Sequence, residues 1–181
     1  MSLIIAKFSK KLKKDNKGSI IIEAIVGVML MLGIFCFLFD LLFVIWKSST
    51  VAQLATTVAR QAGIQGGYLN KAPAGFPGGD NAYVSLGEVI KQIDNQLTSS
   101  GIPSDKWQLK INGRTYTSST SGSASTGEID QKEEIRVSLV VENNWKMTSS
   151  YIPAINPTNI ISANRTTLSE WKYNFDDWEN E

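Results

Sequence analysis

Histidine is absent from all 181 residues, and cysteine occurs once. Without histidine, the usual general base of Ser-His-Asp and Cys-His chemistry is missing, and so is the commonest nitrogen ligand of zinc or copper. The single thiol, Cys36, cannot close an intramolecular disulfide and lies inside an apolar run, where it reads as a small hydrophobe. The glycines form neither a dinucleotide-binding nor a phosphate-loop fingerprint. Serine and threonine are plentiful, above all in the tract TSSTSGSASTG, but without a base in a fixed arrangement they make no nucleophile. The acidic side chains Asp176, Asp177, Glu179 and Glu181 lack the loop spacing of a hard-metal site and read as a solvated tail. These absences exclude most enzyme classes, so no catalytic residue, cofactor or metal site is expected, and the chain is not read as an enzyme.

Charge is also missing from one long stretch. Between Ser19 and Trp46 the only charged residues are Glu23 and Asp40, and residues 24 to 39 carry none. Roughly 20 mostly apolar residues are needed to cross the hydrocarbon core of a bilayer, and this run supplies them once. A secretory signal peptide would have an apolar region of about 7 to 15 residues ending in a small-x-small site. This run is longer and leads through FVIWKSSTV without such a site. Six lysines, Lys7, Lys10, Lys11, Lys13, Lys14 and Lys17, precede it against a single acid, Asp15. Positive flanks stay cytoplasmic and attract anionic lipid, so the expected orientation is N-terminus inside and the bulk of the chain outside, in a single-pass membrane protein. The same lysines suit a bilayer better than a nucleic acid, and no direct nucleic-acid binding is expected. Asp40 falls about 31 Å up a helix from Ser19, at the far edge of the core, with Trp46 in the outer aromatic belt.

Glu23 has no such escape. Either the span begins after it, or the acid has a partner, because an intramembrane carboxylate is costly enough to imply a compensating charge or polar group. A free α-amino group made by cutting before Ser19 would be one.

The sequence KG followed by SIIIEAIVGVMLML resembles the N-terminus of a class III prepilin. With the lysine-rich leader, Ser19 at the new terminus and the following VAQLATTVARQAG, residues 10 to 66 are similar to TadE-like pseudopilins and related pilin-like proteins of Gram-positive Tad, conjugative or secretion systems. The resemblance implies a basic leader over residues 1–18, with Lys17 at the cytoplasmic surface, Gly18 beside the bond cut by a prepilin peptidase, and Ser19 as the mature terminus. Glu23 would then stand at mature position five, where pilins meet the terminal amine of a neighbouring subunit during assembly. The implied partners are the peptidase, other pilin or pseudopilin subunits, an inner-membrane assembly platform and the lipid bilayer, and the implied destination is a filament on the bacterial cell surface. One departure is that the mature chain does not start with Phe, so N-methylation of the terminus is not implied. A permanent signal anchor whose external domain binds a component of a conjugation or secretion apparatus is the alternative from a different class.

Beyond the span, Val51, Leu54, Ala55, Val58 and Ala62 recur at helical spacing, so residues 19–66 are expected to form one transmembrane and extended amphipathic helix ended by Gly63, Gly66 and Gly67. That stripe is an assembly surface where it meets other subunits and a core face where it rests on the chain's own sheet, and both can hold along different arcs. Residues 68–181 are expected to form an extracytoplasmic α+β domain, so that the whole is an α+β, pilin-like fold. YLNKAPAGFPGGDNAY is a connector. Ser85 and Glu88 have capping-box spacing ahead of a helix with Leu86, Ile90, Ile93 and Leu97 on one face. Asn112-Gly113 between WQLKI and RTYTS signals a type I′ hairpin, pairing Leu109 with Tyr116 and Trp107 with Ser118. Residues 117–127 read as a mobile loop. Ile135, Val137, Leu139 and Val141 alternate with polar residues as in a half-buried strand. A last strand is expected over SEWKYNF, with Trp171, Tyr173 and Phe175 on its inner face. NRT at 164–166 matches a glycosylation acceptor but is given no role.

Overall fold

The computed structural model describes residues 16–152 and 158–171, with side chains from residue 20 onward. The first element, α1, runs from Asn16–Gln65 without interruption. Its residues belong to two compact units: residues up to 42 join residues 145–152, and residues 43–144 join residues 158–171. The last 23 residues of α1 thus cluster with the sheet.

In the second unit α1 buries Val51, Leu54, Ala55, Val58, Ala59 and Ala62. The helix passes through Gly63 and stops only at Gln65. Gly66 (φ 68°) and Gly67 (φ 99°) take the left-handed conformation, and the Gly67 amide reaches back to the Ala62 carbonyl at 2.8 Å. This is the six-to-one bond of a Schellman stop, at a position that a Cβ would strain. A Cβ at Gly67 would also lie 2.8 Å from the Gly127 carbonyl oxygen. Gln65, buried, exchanges two hydrogen bonds with the backbone of Val84, which ties the end of α1 to the entrance of α2. Tyr68 is buried and donates its hydroxyl to the Val58 carbonyl at 2.8 Å. Burial, reinforced by nearby Tyr83, holds its hydroxyl pKa far above the ordinary value.

The connector carries only a 3₁₀ turn at Gly79–Asn81. Helix α2 spans Leu86–Ser99 and starts on the expected capping box: the Ser85 hydroxyl accepts from the Glu88 amide while the Glu88 carboxylate accepts from the Ser85 amide. The Ser85 amide, and the Ser85 hydroxyl that also donates to the carboxylate at 3.0 Å, hold the Glu88 carboxyl below its ordinary pKa. Val89 joins Leu86, Ile90, Ile93 and Leu97 on the buried face.

Four antiparallel strands follow, β1 (Trp107–Ile111), β2 (Arg114–Tyr116), β3 (Glu134–Asn144) and β4 (Thr158–Leu168), in the order β2-β1-β3-β4. The hairpin register is the expected one, Leu109 with Tyr116 and Ile111 with Arg114. Asn112 (φ 45°) and Gly113 (φ 81°) form its turn, as a type I′ turn requires. Strand β2 ends at Tyr116, so Trp107 does not pair with Ser118. It faces Val141 of β3 instead, and the Ser118 hydroxyl turns back to the Ser104 carbonyl. Strand β3 alternates as expected, with Ile135, Val137, Leu139 and Val141 buried. Its inward rows align with those of β1, Leu109 beside Leu139 and Ile111 beside Val137. These residues, α1 and α2 form one hydrophobic cluster, in which each fully buried large side chain contributes about 1.5–3 kcal/mol.

The fourth strand is not where the sequence suggested. It is Thr158–Leu168, paired along its whole length with β3, while Ser169, Glu170 and Trp171 lie outside any strand. Tyr173 and Phe175 fall outside the described residues. Trp171 packs against Phe76 of the connector, ring centroids 5.1 Å apart. The Ser/Thr tract has no regular element, but its end is pinned: Thr126 and Tyr68 exchange hydrogen bonds.

Candidate membrane-anchor and assembly site

The N-terminal part of α1 exposes apolar side chains along its length. Three β-branched residues, Ile20–Ile22, and the glycines Gly27 and Gly33 lower intrinsic helix propensity, yet the helix runs through them. In hydrocarbon a single segment must satisfy its own backbone, which makes a helix obligatory whatever the side chains prefer. Large apolar residues are exposed all round it, among them Ile22, Leu30, Ile34 and Phe39. A helix apolar on every face and mostly left uncovered is compatible with a membrane span. Among the described residues, α1 alone contains a segment long and apolar enough to cross a bilayer, and a long apolar helix near the N-terminus is compatible with a membrane anchor. Lys17, Gly18 and Ser19 lie within its first turns.

The two acids in this helix have opposite surroundings. Glu23 is exposed among Ile20, Ile22 and Val26, and no hydrogen bond or ion pair holds it among the described residues. Asp40 is buried, only 4% exposed. Its carboxylate accepts hydrogen bonds from the amides of Met147 (3.2 Å) and Thr148 (2.6 Å). Those amides belong to the first turn of α3, Lys146–Tyr151, whose own N-cap residue, Trp145, supplies no side-chain bond. The free N–H groups of a helix start need an acceptor, and here a carboxylate from α1 provides it, with the favourable charge for that end of the helix dipole. Asp40 thus has a partner within its own unit, whereas the sequence reading had only placed it at the membrane edge. The missed signal was WKMTSSYI, an amphipathic segment between two strands with no capping residue of its own.

Two further contacts hold α3 to α1. Phe37 and Trp145 pack at 5.3 Å between ring centroids, and the Tyr151 hydroxyl donates to the carbonyl of Met29. Gly33 permits that approach: a Cβ there would stand 3.1 Å from Cε1 of Tyr151.

The remaining candidates separate. Val51, Leu54, Ala55, Val58 and Ala62 are all buried in the chain's own core, so of the two uses left open for this stripe the fold adopts the internal one, and in this conformation none of the five offers surface to another subunit. The physical reason is β1 and β3, whose inward rows need a helix of small and branched side chains to close over them. Glu23 belongs to the first unit and these five residues to the second. Lys47 is buried and donates from Nζ to Asn143 Oδ1 at 2.7 Å. Asn143 in turn donates to Asn159 across the β3-β4 pair. Cys36 is half-buried in α1. Among the described residues no three His, Cys, Asp or Glu side chains are grouped to hold a metal ion.

Comparison with protein-family models, curated proteins and solved structures finds no match to this chain.

Proposed function

We propose that the chain is a pilin or pseudopilin subunit, cut between Gly18 and Ser19 by a prepilin peptidase and assembled through its N-terminal helix into a surface filament or secretion pseudopilus. The observation that carries this reading is the contrast between Asp40 and Glu23. One acid of the apolar helix is satisfied by its own chain; the other stands on an exposed apolar face without a partner among the described residues. A carboxylate in that setting requires compensation from outside the protomer, and the mature α-amine of a second subunit supplies both charge and hydrogen bonds. The resemblance of the junction to class III prepilins, and the fold of a long helix followed by a small antiparallel sheet, support the same reading. Lys17 holds the junction at the cytoplasmic surface, and an inner-membrane platform extracts the cut subunit.

Terminal sequencing or intact mass of the protein from its native host tests it: the expected chain begins at Ser19. A chain that still begins at Met1 or Ser2 in a host with an active prepilin peptidase would sink it.

One observation favours a second reading, a signal anchor that does not polymerise and whose external domain binds a component of a conjugation or secretion apparatus. The small-residue stripe of α1 is spent inside the chain's own core, which leaves assembly to the exposed lower helix alone. Processing separates the two readings only together with assembly, so intersubunit crosslinking belongs beside the mass measurement.

A further inference from the structure

We infer that the described part of the connection between β3 and β4, residues 145–152, is itself a membrane-embedded element, solvated by lipid acyl chains of the leaflet away from the lysine cluster. This rests on the reading that α1 crosses the bilayer over residues 20–39, and four observations carry it.

The first is depth. The segment is fastened to α1 at Asp40 by the capping bonds and at Met29 by the Tyr151 hydroxyl. Asp40 and Met29 are eleven residues apart, about 16 Å along the helix axis, which is close to half of a roughly 30 Å hydrocarbon core. With Asp40 at the far edge, Tyr151 lies near the middle.

The second is polar satisfaction. The hydroxyls of Ser149 and Ser150 both donate to the Lys146 carbonyl, the Tyr151 hydroxyl to Met29, the Met147 and Thr148 amides to Asp40, and the Ser149 and Ile152 amides to carbonyls within the segment. Among the buried side-chain polar atoms of the segment, the Thr148 hydroxyl alone lacks a partner among the described residues. In water these groups would be free to hydrate; internal satisfaction is what a medium without water demands.

The third is the outward surface. Met147, Tyr151 and Ile152 are each about two-fifths exposed, and the one charge in the segment, Lys146, sits at the Asp40 end, where its ammonium reaches the interface. The fourth is a groove of about 510 Å³ between α1 and the segment, walled by Val26, Leu30, Ile34, Phe37, Thr148 and Ile152. Its walls offer dispersion contacts and almost no hydrogen bonds, which suits an acyl chain and no polar occupant.

The test uses the full-length chain carrying Cys36→Ala, reconstituted in phosphatidylcholine and phosphatidylglycerol vesicles, with an environment-sensitive fluorophore on one introduced cysteine at a time. Ile152→Cys reports the segment's deep end, Met147→Cys its shallow end, Val28→Cys the span and Lys110→Cys the solvent face of the sheet. Lipids brominated at mid-chain are expected to quench the Ile152 and Val28 labels to a similar extent, with blue-shifted emission. Lipids brominated near the headgroup should quench the Met147 label more. The Lys110 label should respond to neither. Quenching at Val28 with both segment labels behaving like Lys110 would overturn the inference and leave the span standing. A Val28 label that behaves like Lys110 would overturn the span and this inference with it.

Discussion

Replacing Asp40 with alanine removes the only side-chain acceptor at the start of α3 among the described residues. Asp40 is 4% exposed and its carboxylate receives two amides, at 3.2 and 2.6 Å. Loss of a helix cap costs about 0.5–2 kcal/mol, and leaving a shielded amide without its charged acceptor costs about 1–3 kcal/mol. The two estimates overlap near about 2 kcal/mol, a factor of about 30 in the local opening equilibrium. The effect belongs to α3 and not to the sheet, because no residue of α3 is in the hydrophobic cluster of the second unit. Hydrogen exchange followed by mass spectrometry, on the full-length protein in detergent micelles, reads this directly. Peptides covering residues 145–152 should exchange about 30-fold faster in Asp40→Ala, while peptides from β3 keep their protection. Asp40→Asn, which retains one carbonyl acceptor and loses the charge, should fall between. Unchanged exchange over residues 145–152 in Asp40→Ala would refute the capping role. An equal loss across β3 would show that Asp40 supports the whole protein and not one short helix.

Glu23→Gln is expected to lower filament yield, or intersubunit crosslinking for a scarce subunit, at unchanged amounts of cleaved protein in the membrane, since no hydrogen bond or ion pair holds the side chain among the described residues. Wild-type assembly by both Glu23→Gln and Glu23→Ala would leave only the shifted-boundary explanation of that acid. Leu139→Ala, in the central strand beside Leu109 and Ala163, should destabilise the domain by about 2–5 kcal/mol, read as a lower urea midpoint; a loss under about 1 kcal/mol would contradict its core position. Tyr68, Tyr83 and Tyr116 all have hydroxyl pKa values raised, chiefly by burial, above the ordinary 10.0. The folded state therefore keeps protons that the unfolded chain releases, so this stability is fully present below pH 10.0 and is lost as pH rises beyond it. Urea midpoints should fall on the alkaline side, and Tyr68→Phe should flatten the fall; an equally steep decline in that variant would remove Tyr68 as a cause.

The elements legible in the sequence are those whose signals lie within a few residues. Asn112-Gly113 set the hairpin and its register, because both turn positions need positive φ. Ser85 and Glu88 satisfy each other's backbone at the start of α2. The alternation of β3 and the uncharged run of α1 are likewise periodicities of one segment. What stayed hidden was every choice between distant partners. The stripe at Val51, Leu54, Ala55, Val58 and Ala62 has the same spacing whether it meets another subunit or its own sheet, and only the inward rows of β1 and β3 decide for the sheet. Strand β4 was missed because Ile160 and Leu168 point outward while only Ile161 and Ala163 are buried among its apolar residues; its place comes from an eleven-residue pairing with β3 and not from a pattern of its own. Asp40 finds its amides 107 and 108 residues later in the chain. A sequence states how each segment prefers to fold and which of its faces is apolar. Which faces meet is a sum over long-range contacts that no single segment contains, so the partner of Asp40 came from the tertiary structure alone, while the exposed acid at Glu23 was already visible as a demand for one.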